Sequence, residues 1–166
     1  QWVLRYRNEW GNEEMHFLVV MLPGFHKAPK TGPNLGPEHP ETHSWAWMRE
    51  SQLQALELPN TGVANTIDLG DEKNVHPKDK LPVGKRLALL AARDTLGLDI
   101  DAQGPVLQRV DAKGDHLVVH FDFADGLKTT DGNAPTGFWI ADGSAKGVKA
   151  EAVLNGQTVT LSAPQL

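Results

Sequence analysis

A polar segment in the first half of the chain holds a histidine that follows several carboxylates. His76 comes directly before Pro77, and Asp68 and Asp71 precede it within the same segment. A carboxylate that orients an imidazole fixes its tautomer and stabilises the imidazolium that forms when the ring takes a proton from a hydroxyl. These residues therefore have the chemistry of the base and the acid of a nucleophilic triad. A histidine in a loop before a helix is also commonly a surface or capping residue, so spacing alone leaves both interpretations open.

Apolar runs before this segment predict two strands of a parallel sheet. Phe17 to Leu22 is a continuous apolar run, which is typical of a strand buried on both faces. Val63 to Leu69 predicts a second short strand, with Asp68 at its end. Because open α/β sheets place their sites at the carboxyl ends of parallel strands, we expect His76 at that edge beside one of the two aspartates, Asp68 or Asp71.

Three helices are predicted around these strands. The spacing of Trp2, Val3, Tyr6 and Trp10 indicates a first helix that ends at Gly11. Ser44 to Leu56 indicates a second, with inward positions at Trp45, Met48, Leu53 and Leu56. Leu81 to Leu96 is the clearest helix, with Pro82 in its first turn and Gly97 after its end. Its apolar face is predicted to contain Val83, Leu87, Leu90 and Ala91.

The periodicity changes after Gly104-Pro105, which divides the chain into predicted domains 1–103 and 104–166. From Leu117 to Asp122 apolar and polar residues alternate, as in a half-buried strand. Other short strands are predicted at Val106–Val110, Phe138–Ala141, Glu151–Leu154 and Thr158–Ser162. Short strands separated by glycine-containing turns, with no helix among them, predict a small antiparallel β-sandwich.

The polar segment and its surroundings also resemble a known family. Asp68-Leu69-Gly70-Asp71, Val75-His76-Pro77-Lys78-Asp79-Lys80 and Val83-Gly84-Lys85-Arg86-Leu87-Ala88 look like the last characteristic block of the sialate O-acetylesterase-like enzymes. Those enzymes are SGNH-type hydrolases that remove acetyl groups from sugars. Earlier pieces agree in order: Phe17–Pro23, Trp45–Gln52 and Pro59-Asn60-Thr61-Gly62. The resemblance implies an α/β fold in which 1–103 is the C-terminal half of a three-layer, parallel-sheet SGNH-type hydrolase domain, followed by the β-sandwich.

The resemblance implies a role for each residue of the segment. His76 matches the general base of the family. Many SGNH enzymes have an aspartate three residues before that histidine, but Lys73 occupies this position here. Asp71 is favoured as the acid because it lies in the loop that leads into His76. Asp68 is the alternative, or a residue that caps the turn, and Glu72 is expected to be solvated.

The family's serine nucleophile and oxyanion-hole blocks are not found in this sequence. Ser44 and Ser51 lie around the second predicted helix, while Ser144 and Ser162 lie in the predicted β-domain. The chain is therefore expected to be the C-terminal portion of a carbohydrate acetylesterase, active only with an N-terminal half that carries the serine. A His–Asp pair alone accelerates ester cleavage very little, because it has no nucleophile to activate and no donors to stabilise the oxyanion. The expected substrates are acetylated sialic acids or plant polysaccharides such as xylan or xyloglucan, with no cofactor and a secreted or periplasmic location.

Composition excludes some other classes and leaves one rival. A net charge of −5 with scattered basic residues argues against nucleic acid as a partner, and no apolar run reaches the roughly 18 residues of a membrane span. His26, His39 and His43 share a proline-rich loop, where a metal site is a minor alternative to a surface loop or a sugar-contacting rim. Trp2, Trp10, Trp45 and Trp47 are predicted core residues, with a sugar-stacking platform as the alternative. The rival function is a non-catalytic carbohydrate-binding or assembly module, for which Trp139 is the best candidate.

Overall fold

The computed structural model describes residues 2–25, 44–71, 73–141 and 147–164. The chain forms two compact units, Gln1–Gln103 and Gly104–Leu166, and the boundary lies where the sequence periodicity changes. The first unit contains helices and a parallel sheet, and the second contains antiparallel sheets. The fold is therefore mixed α/β. Among the described residues, no helix has the length and apolar character needed to cross a membrane.

In the first unit, the described residues form three α-helices and two strands. In chain order they are α1 (Trp2–Trp10), β1 (Phe17–Val20), α2 (Ser44–Leu53), β2 (Thr61–Ala64) and α3 (Leu81–Leu90). β1 and β2 pair in parallel, with Phe17 opposite Thr61 and Val20 opposite Ala64. Gly62 lets neighbouring side chains pack closely against β2, because a Cβ there would lie 2.9 Å from Leu18 Cδ2 and 3.2 Å from Asp94 Oδ2. The buried core of this unit is Ala64, Leu90 and Ala102.

A buried arginine attaches α1 to the start of the sheet. Arg7 is only 4% exposed. Its guanidinium donates to the carbonyl oxygens of Met15, at 2.9 and 3.0 Å, and of Pro59, at 2.6 Å. The same group lies 5.7 Å from the ring centroid of Phe17. A buried charge needs hydrogen-bond partners. These carbonyls therefore fix α1 to the segments that precede β1 and β2.

The aromatic residues on α1 and α2 are mostly at the surface, contrary to the predicted core. Trp2, Trp10 and Trp47 are 62%, 71% and 65% exposed. Trp2 does contact Tyr6 and Phe17, with ring centroids 4.7 and 5.7 Å apart. Helical spacing shows which side chains share a face, but whether another element covers that face depends on tertiary structure. Only Trp45 is partly buried, and its ring meets Phe25 edge-on.

The face that α2 turns toward β1 is polar, so three of its predicted inward positions are wrong. Met48, Leu53 and Leu56 are exposed, and Leu56 falls in a 3₁₀ turn, Gln54–Glu57, that ends the helix early. The Gln52 amide instead accepts from the Leu22 N–H at 2.9 Å and donates to the Val20 carbonyl at 3.3 Å. The side chain therefore satisfies strand-edge groups that an apolar residue would leave without partners.

The second strand lies earlier than predicted. β2 ends at Ala64, and Ile67–Leu69 forms a 3₁₀ turn, so the prediction that a strand ends at Asp68 is wrong. Thr66, between these elements, is 1% exposed, and its hydroxyl donates to the Met21 carbonyl at 2.5 Å. This side-chain bond continues the β1–β2 association beyond the last paired residues. An apolar run cannot reveal that change from strand to turn, because both elements bury apolar side chains.

Helix α3 begins and packs as predicted. The Leu81 N–H donates to Asp79 Oδ1 at 2.9 Å, and proline occupies the first turn. The predicted apolar face is confirmed: Leu90 is buried, and Val83, Leu87 and Ala91 are partly buried. The α-helix gives way to a π-helical turn at Ala91–Thr95, and Gly97 then adopts a φ of +69°.

Within 104–141 and 147–164, the second unit has six strands in two antiparallel sheets. They are β3 (Val106–Lys113), β4 (His116–Asp122), β5 (Trp139–Ile140), β6 (Val148–Lys149), β7 (Glu151–Asn155) and β8 (Thr158–Ser162). One sheet has the order β3-β4-β8-β7, and β5 pairs with β6. The core of the unit is Val119, Ala152, Val159 and Leu161, and Phe138 and Ile140 pack against it. In β4, Leu117, Val119 and Phe121 pack into this core as the alternation predicted, whereas Val118 and His120 are partly buried and only Asp122 is exposed. Whether this unit is a β-sandwich domain of an esterase stays a prediction.

Candidate active site

The segment that holds His76 follows the carboxyl end of β2 and precedes α3. The first residues of this segment are hydrogen-bonded to the residues that follow β1. The Gly24 N–H donates to the Ile67 carbonyl at 3.0 Å, close to the buried Thr66–Met21 bond. The carboxyl ends of the two parallel strands thus lead into one shared region, as is common for sites in α/β sheets.

A short series of turn hydrogen bonds leads from Asp71 to His76. Asp71 Oδ1 accepts from the Lys73 N–H at 2.8 Å, and the Asp71 carbonyl accepts from the Asn74 N–H at 3.2 Å. Asn74 Oδ1 in turn accepts from the His76 N–H at 2.9 Å. Side chains of this type commonly hold a turn by bonding backbone two residues ahead. The backbone at His76 is therefore tied to Asp71 through Asn74.

The two candidate acids have different surroundings. Asp68 forms a two-point ion pair with Arg86, at 2.5 Å from Nη1 to Oδ1 and 2.7 Å from Nη2 to Oδ2. Arg86 also donates to the Asn65 carbonyl at 2.6 Å, so it joins α3 to the segment after β2. The hydrogen bond from Arg86 lowers the pKa of the Asp68 carboxyl. Asp71 is exposed, and one of its carboxylate oxygens is engaged in the turn.

His76 itself is exposed on the surface of the first unit. In the described part of the chain, its imidazole has no hydrogen bond or ion pair with Asp68, Asp71 or a serine hydroxyl. Catalytic hydrogen bonds often tighten only when the substrate is bound. The assignment of His76 and Asp71 therefore stays a prediction.

Other candidates from the sequence are less informative. His26, His39, His43 and Ser144 lie outside the described residues. Within the described ranges, no group of three or more His, Asp and Glu side chains could hold a metal ion. Ser51 is exposed on α2, and Ser162 is partly buried in β8. Trp139 is partly buried in β5.

Sequence reasoning missed two residues that shape this region. Arg86 lies in the block that resembles the esterases, yet its pairing with Asp68 depends on a contact between α3 and a distant turn. Asn74 could have been recognised from the local sequence, because an asparagine side chain commonly accepts a hydrogen bond from the backbone N–H two residues further along the chain. Its bond to His76 could have been predicted from spacing alone.

A solved structure is similar to nearly the full length of this chain. The crystal structure of a carbohydrate acetylesterase from Xanthomonas citri, described as novel, matches the chain with 34% identity and a TM-score of 0.85. The match covers 99% of this chain and 36% of the acetylesterase, so the chain spans about a third of that protein. No protein-family model matches the chain, and no curated protein matches it. The mixed α/β fold described above is thus similar to the corresponding part of a carbohydrate acetylesterase.

Proposed function

We propose that this chain is part of a carbohydrate O-acetylesterase that acts by acyl transfer to a serine. The observation that carries the proposal is the similarity, over 99% of the chain, to a carbohydrate acetylesterase at 34% identity. The position of His76 beyond the carboxyl end of a parallel strand is consistent with it. The sequence resemblance to SGNH-type, sialate O-acetylesterase-like enzymes supports the same reaction class.

In the proposed reaction His76 acts first as a base and then as an acid. A serine hydroxyl attacks the acetyl carbonyl carbon while His76 takes its proton, and a tetrahedral intermediate forms. As the ester C–O bond breaks, the His76 imidazolium gives its proton to the departing sugar oxygen, which leaves as a hydroxyl. Water then attacks the acetyl-enzyme through the same cycle, so acetate leaves and the serine regains its proton.

Asp71 is the acid that we propose orients His76. Its backbone and one carboxylate oxygen form the turn that leads to His76, so it is attached to the same short segment. Asp68 is already held at both oxygens by Arg86, which suits a structural role. A carboxylate beside an imidazole stabilises the imidazolium of the transition state.

The serine and oxyanion-hole donors are proposed to come from an N-terminal half, on the same precursor or a partner chain. The strands that the structure describes in the first unit, β1 and β2, form a parallel pair, and parallel sheets normally have more strands and covered faces. Large apolar side chains in this unit are also exposed, including Trp2, Trp10, Leu81 and Leu96. Apolar surface of this kind commonly marks an interface.

The proposed substrates are acetylated sialic acids or acetylated plant polysaccharides such as xylan or xyloglucan. The similar protein acts on a carbohydrate acetyl ester, as its description states, but its description names no particular sugar. No cofactor is needed for serine acyl transfer. Because such glycans lie outside the cell, a secreted or periplasmic location is part of the proposal.

The test is acetate release by the complete protein that carries this chain. We expect release from acetylated xylan or from O-acetylated sialic acid, and we expect a serine-directed sulfonyl fluoride to abolish it. Deacetylated forms of the same glycans serve as the binding control. Binding of those glycans without acetate release from either ester would contradict the esterase and favour a carbohydrate-binding module.

A further inference from the structure

We infer that the backbone contact between Gly24 and Gly70 positions the loop that carries Asp71 and His76. The inference rests on the proposed function, because it assigns a positioning role at the site of that reaction. Gly24 lies after β1, and Gly70 lies between the 3₁₀ turn Ile67–Leu69 and the predicted catalytic loop. The contact therefore joins the carboxyl-end segments of both strands at the point where the loop begins.

The approach of these two residues leaves no room for a side chain. A Cβ added at Gly70 would lie 1.8 Å from the Gly24 carbonyl oxygen and 2.5 Å from the Gly24 nitrogen. A Cβ added at Gly24 would lie 2.7 Å from the Ile67 carbonyl oxygen. All of these neighbours are backbone atoms, so the clash cannot be relieved by turning a side chain. Either substitution must move one of the two segments.

Close contact, rather than backbone conformation, explains the glycine at position 70. Its φ of −76° and ψ of 172° are accessible to any residue. The chain offers two glycines for comparison: neither Gly84 in α3 nor Gly104 has any heavy atom within 4 Å of an added Cβ. Replacing either of these by alanine thus adds a methyl group without displacing backbone.

Displacement at Gly70 is transmitted toward His76 through a short and well-connected path. Asp71 is the next residue, and its bonds to Lys73 and Asn74 hold the turn. Asn74 then holds the His76 N–H. A shift of Gly70 that relieves the clash moves the turn as a unit, since these bonds connect its residues. Misplacement of a catalytic group by about 1 Å can lower the rate roughly 100-fold.

The experiment uses the complete protein and four single alanine variants, Gly24→Ala, Gly70→Ala, Gly84→Ala and Gly104→Ala. Reaction with a fluorophosphonate separates two quantities, because its final extent counts folded sites and its rate reports activation of the serine by the base. We expect Gly70→Ala to lower kcat per folded site and the labelling rate about 100-fold, with a smaller change in KM. Gly24→Ala should show the same pattern more weakly, and the two control variants should match the parent.

The outcomes separate this inference from the proposed function. Parental kcat and labelling rate per folded site in Gly70→Ala would overturn the inference and leave the esterase intact. If Gly70→Ala does not fold, Gly24→Ala decides by the same criterion. A His76→Ala variant measured in parallel must lose activity, and parental activity in that variant would overturn the role of His76 as the base and the positioning role together.

Discussion

Arg86 holds Asp68 at both carboxylate oxygens, with nitrogen–oxygen distances of 2.5 and 2.7 Å. A planar guanidinium matches a carboxylate in this two-point geometry, which fixes orientation as well as distance. Because Arg86 also bonds the Asn65 carbonyl, the pair fastens α3 to the segment that follows β2. Asp71, three residues further on, instead forms the turn that leads to His76. The two acids that sequence left as alternatives thus have different structural settings.

The first prediction separates these acids by amide substitution. Asp71→Asn should lower kcat of the complete esterase by about 10² to 10⁴-fold, since an amide cannot stabilise the imidazolium. Asp68→Asn should keep kcat per folded molecule within a few fold and lower thermal stability instead. Acetate release and a thermal melt of both variants provide the test. If Asp68→Asn abolished turnover while Asp71→Asn kept it, the acid assignment would be reversed.

The second prediction concerns the acid sensitivity of the same ion pair. Arg86 lowers the pKa of Asp68 in the folded protein, so the carboxylate contributes stability above its unfolded pKa of about 3.9. That contribution is lost as the pH falls through the lowered pKa. The side chains of Arg86 and Asp68 are 34% and 57% exposed, so solvent screens the pair and we expect at most about 1 kcal/mol. Thermal melts of the parent and Asp68→Asn should differ at pH 7, and the difference should shrink as the pH falls below the unfolded pKa of about 3.9. A constant difference across this range would contradict the linkage.

The third prediction compares two arginines on α1. Arg7→Met should lower the free energy of unfolding by about 3 kcal/mol, because the buried carbonyls of Met15 and Pro59 lose their donors. Arg5→Met is the matched control, since Arg5 forms an exposed pair with Glu9 that is worth about 0.4 kcal/mol. Denaturant unfolding of the complete protein measures both. Equal small effects would show that the buried guanidinium is not an anchor.

The sequence predicted where the helices begin and end better than it predicted which of their side chains are buried. Gly11 and Gly97 end helical segments with φ of +61° and +69°, and Leu81 begins α3, all at the expected places. These boundaries follow from local rules of capping and backbone conformation. The exposure of Trp10 and Met48 could not be predicted in this way, because burial depends on which distant elements are present to cover a face.

The sequence predicted which loop carries the candidate site, but not the contacts that hold this loop in place. His76 and Asp71 lie in a loop between β2 and α3, as expected. The strand before them ends at Ala64, because Thr66 turns its hydroxyl onto Met21 and a 3₁₀ turn follows. The Gly24–Gly70 approach joins residues far apart in sequence, so it becomes visible only once both segments are placed.

The fourth prediction concerns the chain expressed alone. The first unit exposes several large apolar side chains, among them Trp2, Trp10 and Leu96, and its parallel sheet has two strands among the residues that the structure describes. Exposed strand edges and apolar surface favour association. Light scattering after size exclusion should therefore show oligomers whose mass rises with concentration. A stable monomer across the range tested would contradict the proposal that another part of the esterase covers this surface.

The most direct measurement of the central claim is kcat for acetate release by the complete protein with His76→Ala. General acid–base catalysis by a triad histidine predicts a loss of at least about 10³-fold, with the thermal stability unchanged. His116→Ala is the matched control, because the imidazole of His116, in the second unit, has Asp115 as its only hydrogen-bond partner among the described residues, and parental activity is expected. Parental turnover in His76→Ala would contradict the assignment of this histidine as the base.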